Sequence, residues 1–116
     1  MGLSKTLDIT SDFNADGIAT LDVGQWDNVV AQFVTPVGAI SFLGSNDGGA
    51  ITGITDGNAL LAKNFTAIQG TDESTGTAAT STSVTSNYKF SVTHKFVRFS
   101  GGTATQILIF LYKIDL

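Results

Sequence analysis

The side chains whose types and spacing come nearest to a chemical motif lie in Asp12-Phe13-Asn14-Ala15-Asp16-Gly17. Oxygen-bearing groups at alternate positions followed by a glycine at the sixth are the opening half of a calcium loop. The second half departs from that pattern, because the twelfth position is Val23 and Asp22 falls one residue short of it. Calcium takes about six to eight oxygens, and this segment has too few. The expectation is an Asx-rich turn leading into a strand at Ile18, with Asp12, Asn14 and Asp16 as the calcium candidates. His94 is the only histidine. It stands beside Lys95 where a tight reversal is expected, an unsuitable place for a buried, oriented general base. The acids fall mostly in turns, where water leaves them ordinary, and no opposed carboxyl pair is apparent. No catalytic residue and no cofactor are assigned, and the chain is read as a non-enzyme.

Two other groups could bind without catalysing. Trp26, the loop Asn46-Asp47-Gly48 and Tyr88 together offer the aromatic faces and polar groups of a sugar or receptor site. Arg98 stands in Phe96-Val97-Arg98-Phe99. Its aromatic flanks predict a partly buried guanidinium paired with an Asp.

The elements that must position these residues are strands. Apolar residues alternate at period two through Ile18 to Val23, Asn28 to Val34, Ala39 to Gly44, Tyr88 to Thr93, Phe96 to Ser100 and Thr105 to Ile114. Gly, Asn and Asp clusters such as Ser45-Asn46-Asp47-Gly48-Gly49 separate them. The Tyr88 and Phe96 strands are expected to pair as a hairpin through Thr93-His94. Helical spacing shows only around Asn58 to Asn64, for about one turn. This pattern predicts an all-β chain: one antiparallel β-sandwich, of jelly-roll type, with about seven to eight strands. The exception is 70–87, rich in Ser and Thr, where a loop, an edge strand or an arm ordered against a neighbour is expected.

Composition narrows the function. The chain has 116 residues, no Cys and a formal charge of −4, with only 14% charged residues. Disulfides and thiolate metal sites are excluded. The acidic balance argues against nucleic acid, and no apolar run reaches the roughly 18 residues of a membrane span. Ser and Thr outnumber the 6 basic and 10 acidic residues taken together. Hydroxyl-bearing surface loses water at less cost than charged surface, which suits lasting contact between subunits. The final strand is apolar on both faces, whereas a sandwich buries one face of each sheet.

The successions Asp22-Val23-Gly24-Gln25-Trp26-Asp27-Asn28-Val29-Val30, Gly38 to Gly44 with Ser45-Asn46-Asp47-Gly48-Gly49, Tyr88-Lys89-Phe90-Ser91-Val92 and Lys95-Phe96-Val97-Arg98-Phe99 span much of the chain. They resemble the small β-sandwich modules of tailed-bacteriophage virion proteins. The resemblance implies a capsid decoration (cement) protein on the virion surface, made in the host cytoplasm. It would be a homotrimer bound to the major capsid protein or other virion proteins, without nucleic acid or membrane. Expected contacts are Leu3, Leu7 and Ile9 in the N-terminal segment, Thr77, Thr80 and Val84 in the hydroxyl-rich segment, and Ile109 and Leu111 on the last strand. A similarity to discoidin-like jelly rolls supports the alternative, a carbohydrate- or receptor-binding module of a tail or head fibre. Ala50 and Ile51 stand where those modules carry an aromatic.

Overall fold

The computed structural model describes residues 3–46, 64–91 and 94–113, with Asp16 by its backbone alone. In chain order its elements are β1 (Leu3–Asp8), α1 (Thr10–Asp16), β2 (Ile18–Asp22), β3 (Asn28–Val34), β4 (Ile40–Ser45), β5 (Thr66–Ala67), β6 (Gly70–Asp72), β7 (Ala78–Ala79), β8 (Ser81–Thr82), β9 (Ser86–Ser91), β10 (Phe96–Ser100) and β11 (Gln106–Lys113). Alternation decides which side chains turn inward. Val29, Ala31 and Phe33 of β3 and Ile107, Ile109 and Leu111 of β11 are buried, while their neighbours face outward.

Two antiparallel sheets result, ordered β1-β11-β3-β9-β6-β7 and β2-β10-β4-β5, with β8 also pairing β4. β5 and β8 lie along the same side of β4 at its two ends, so together they fill one strand position. Counted that way, the chain passes from one sheet to the other at each principal strand except between β4 and the β5/β8 position, which are neighbours in one sheet, and the first strand pairs the last, as in the double Greek key of a jelly roll. The core between the sheets is aromatic. Phe33 stacks on Phe42 at 5.7 Å between ring centroids, and Phe42 meets Phe90 edge to face at 5.0 Å. Such pairs contribute about 0.5–1.5 kcal/mol each beyond the area they bury.

Both flanks of the sandwich are closed. On one, α1 packs against β2 and β11 and inserts Phe13, while Ile9 just before it is also buried. On the other, the chain leaves β5 and crosses to the six-stranded sheet. There it forms the β6–β7 hairpin and then returns to β4 as β8. The crossing is tight, for a Cβ on Gly70 would lie 2.6 Å from the Phe90 ring.

Several expectations are corrected here. β9 and β10 form no hairpin; β9 lies between β3 and β6, and β10 between β2 and β4. Alternation cannot distinguish a reversal within a sheet from a link across the core, because both bury one face. Of the alternatives expected for 70–87, the edge strand is met, since β7 lies at the edge of the six-stranded sheet. Thr77 and Thr80 are exposed, yet their carbonyls accept the N–H groups of Asp72 and Phe42 at 2.9 Å. Ile9, Ile109 and Leu111 were expected at an interface and instead belong to the core. Leu7 is partly buried against that core, and Leu3 alone of the N-terminal trio is 66% exposed. The Asx-rich turn at Asp12 to Asp16 is helix α1. Most of the helical turn expected at Asn58 to Asn64 lies outside the described residues.

Candidate interaction surfaces

α1 puts the calcium candidates on a helix rather than around a loop. Asn14 is committed elsewhere: its Nδ2 donates to the Ala104 carbonyl at 2.8 Å, and its Oδ1 accepts the Ala104 N–H at 3.1 Å. Asp12 lies in the first turn, on the exposed side. Among the described residues no three His, Cys, Asp or Glu side chains converge as metal ligands.

The proposed aromatic ligand site is not assembled. Tyr88 is a core residue whose ring lies 5.0 Å from that of Phe42, so neither face is open to a sugar. Trp26 packs partly buried against the core. Asn46 turns its Oδ1 to the Lys95 N–H at 2.8 Å, fixing the chain before β10. Asp47 lies outside the described residues. His94 is half-buried rather than at an exposed tip, and its ring occupies the space a Gly44 side chain would need.

Arg98 points to the outer side of the five-stranded sheet. Its Nε donates to Thr20 Oγ1 at 2.8 Å, and its guanidinium lies 4.0 Å from the Phe65 ring centroid. Burial pushes its pKa down from the ordinary value. It remains a cation, held between a hydroxyl and an aromatic face.

Among the described residues three surface regions stand out, of which the first and second share Thr71, Lys89 and Ser91. The first is a groove of about 620 Å³ lined by Ile68, Gln69, Thr71, Glu73, Lys89 and Ser91. It offers hydrogen bonds and one charge of each sign.

The second is the outer face of the six-stranded sheet. Strand register sets Thr6, Phe110, Val30, Lys89 and Thr71 in one row across it, and Ser4, Tyr112, Asn28 and Ser91 in the next. Phe110 is 41% exposed and stacks on Tyr112 at 5.6 Å. Leu108 and Val30 are half-buried beside them. Asp8 ends this face on β1. Hydrogen bonds from the Thr10 hydroxyl and amide hold its pKa below the usual carboxylate range.

The third is the end of the sandwich where the β3–β4, β8–β9 and β10–β11 loops meet. Val37 and Thr103 exchange backbone hydrogen bonds of 2.8 and 3.0 Å, and the Thr35 N–H donates to Thr85 Oγ1 at 2.9 Å. Thr35 is held at φ 49°, a strained conformation for a β-branched residue. Gly38 and Gly102 flank Val37 at positive φ, where a side chain would be costly. The loops thus form a stiff end that displays Val37, 66% exposed, and Val84, 62% exposed.

Of the expected contacts, Leu3 and Val84 are open as large apolar side chains. Phe110, Tyr112 and Val37 were missed. The signal for the first two was Tyr112 itself: a phenol belongs on the wetter side of a strand with two apolar faces.

The sequence matches no protein-family model and no curated protein. Among solved structures, the fold is similar to the crystal structure of YomS, an SPBc2 prophage-derived protein. The TM-score is 0.68 over 97% of this chain and 96% of that one, with 12% sequence identity. The likeness is one of fold.

Proposed function

We propose that this chain is a non-enzymatic structural protein of a tailed bacteriophage. In this reading it is a capsid decoration subunit that associates with itself and lies across seams between major capsid proteins. The observation that carries the reading is the outer face of the six-stranded sheet, where Phe110, Tyr112, Leu108 and Val30 sit among Ser, Thr, Asn and Gln, with the charges of Asp8 and Lys89 to either side. A surface so poor in charge loses little hydration free energy on contact, whereas each buried charge without a partner costs several kcal/mol. The fold shared with a prophage-derived protein supports the phage setting. The stiff loop end supports attachment to a shell, because residues already fixed lose little entropy on docking. Roughly 800 Å² per partner suffices for specific binding, and many copies on a lattice would multiply the hold.

Cosedimentation tests this. Purified protein mixed with shells assembled from the major capsid protein of its own phage is expected to pellet with them, and to leave unassembled capsid subunits alone. Equal binding to free subunits, or none to shells, contradicts the reading.

A further inference from the structure

We propose that two copies of this chain pair face to face through the outer surface of the six-stranded sheet, about a two-fold axis parallel to the strands. The charge pattern selects both the partner and the axis. Asp8 lies on β1 and Lys89 on β9, on opposite sides of the apolar strip formed by β11 and β3. Lys89 makes no ion pair among the described residues. Rotation about an axis running between β11 and β3 lays β1 of one copy over β9 of the other. The second copy's Lys89 then comes within one pleat of Asp8, a distance a lysine side chain spans, and symmetry repeats the contact. The same rotation sets Phe110 against the second copy's Val30, and Val30 against its Phe110. A two-fold axis across the strands would instead lay β1 over β1, with Asp8 and Lys89 left apart.

The area approaches what specific pairing takes. The four strands that overlap about this axis, β1, β11, β3 and β9, are six to eight residues long and, spaced about 4.8 Å apart, present a face of roughly 450 Å² in projection. That is the order of the about 800 Å² of accessible surface per partner in a specific complex. Aligned sheets stack about 10 Å apart, so Phe110 and Tyr112 fill the space between them.

Orientation gives the pairing a consequence. An axis parallel to the strands keeps both loop ends on the same side, so both copies of Val37 and Val84 point the same way. This part rests on the shell-binding reading above; the pairing itself does not. A two-pronged attachment gains from effective concentration what a single tip lacks. The two-fold arrangement replaces the threefold one expected from the sequence, since one self-complementary face closes a pair and not a ring.

Light scattering and sedimentation of the purified chain test the pairing. The wild type is expected at twice the chain mass. Lys89→Glu alone and Asp8→Lys alone are each expected to weaken pairing about tenfold or more. An equimolar mixture of the two variants regains the doubled mass, because each reversed charge then meets its opposite. Circular dichroism establishes that each variant is folded. If Asp8→Lys loses its fold with its Thr10 turn, Thr6→Lys on the same strand takes its place, and Phe110→Glu supplies an uncoupled disruption. A monomeric or trimeric wild type, variants that pair as the wild type does, or a mixture that stays monomeric would each overturn the proposal. Shell binding by a protein that remains monomeric would sink the pairing and leave the shell-binding part of the proposed function standing.

Discussion

Two glycines show how differently a missing side chain can matter. Gly70 has ordinary backbone, but a methyl group there would press on the buried Phe90 ring. Gly70→Ala is expected to cost about 1–3 kcal/mol in urea unfolding, the usual range for overpacking. Gly17 has open space around it and φ 72°. Gly17→Ala therefore bears only the left-handed backbone penalty, about 1 kcal/mol. Two carboxylates in Asx turns, Asp8 and Asp72, act through pH. Asp72 Oδ1 accepts the Ser74 N–H and hydroxyl, both at 2.8 Å, which holds its pKa low, and Asp8 is held low by Thr10. A depressed folded pKa stabilises the fold above the unfolded value near 4 and loses that contribution as pH falls through the folded one. Acid titration of unfolding should thus show stability declining below about pH 4. Asp72→Asn is expected to shallow the decline, and an unchanged slope would mean the turn bonds carry none of it.

At the scale of elements, α1 is held by Phe13 in the core, by the Thr10 hydroxyl, which accepts the Ile107 N–H at 2.9 Å, and by Asn14. Asn14→Ala removes both hydrogen bonds to Ala104 and leaves that buried residue's backbone groups without them. The expected loss is about 1–3 kcal/mol in chemical denaturation. Phe42→Ala, at the centre of the aromatic cluster, is expected to cost about 3–5 kcal/mol. These elements also mark what could be read from residue order. Asn28–Val34 and Phe96–Ser100 were legible to their ends because alternation between turn residues is a local signal. Helix α1 was not: over its seven residues the one large apolar side chain is Phe13, too little to show a period of 3.6. Pairing was not legible either, since β9 and β10 each bury one face whether joined in a sheet or set across the core. The interface suffered most. β11 is apolar on both faces, and only the opposing sheet decides that Ile109 and Leu111 go inward while Phe110 faces out.

The whole molecule joins a rigid core to surfaces poor in charge. Among the described residues most large apolar side chains serve the core, and the exposed ones are Phe110 on the sheet face, Val37 and Val84 at the loop end, and Leu3 on β1. These are separable by mutation. Val37→Asp with Val84→Asp alters side chains that make few internal contacts, so stability is expected to stay within about 0.5 kcal/mol. Cosedimentation with assembled shells is expected to fall by an order of magnitude or more. If binding survives that change, the loop end is not the point of attachment. The most direct test of the central claim is the amount of this protein in purified particles of the phage that encodes it, measured by quantitative mass spectrometry against the major capsid protein. A decoration subunit is expected in a fixed, simple ratio to the capsid protein and at high copy number. A chain abundant in the lysate but absent from the particle, or present there in only a few copies, would contradict the account.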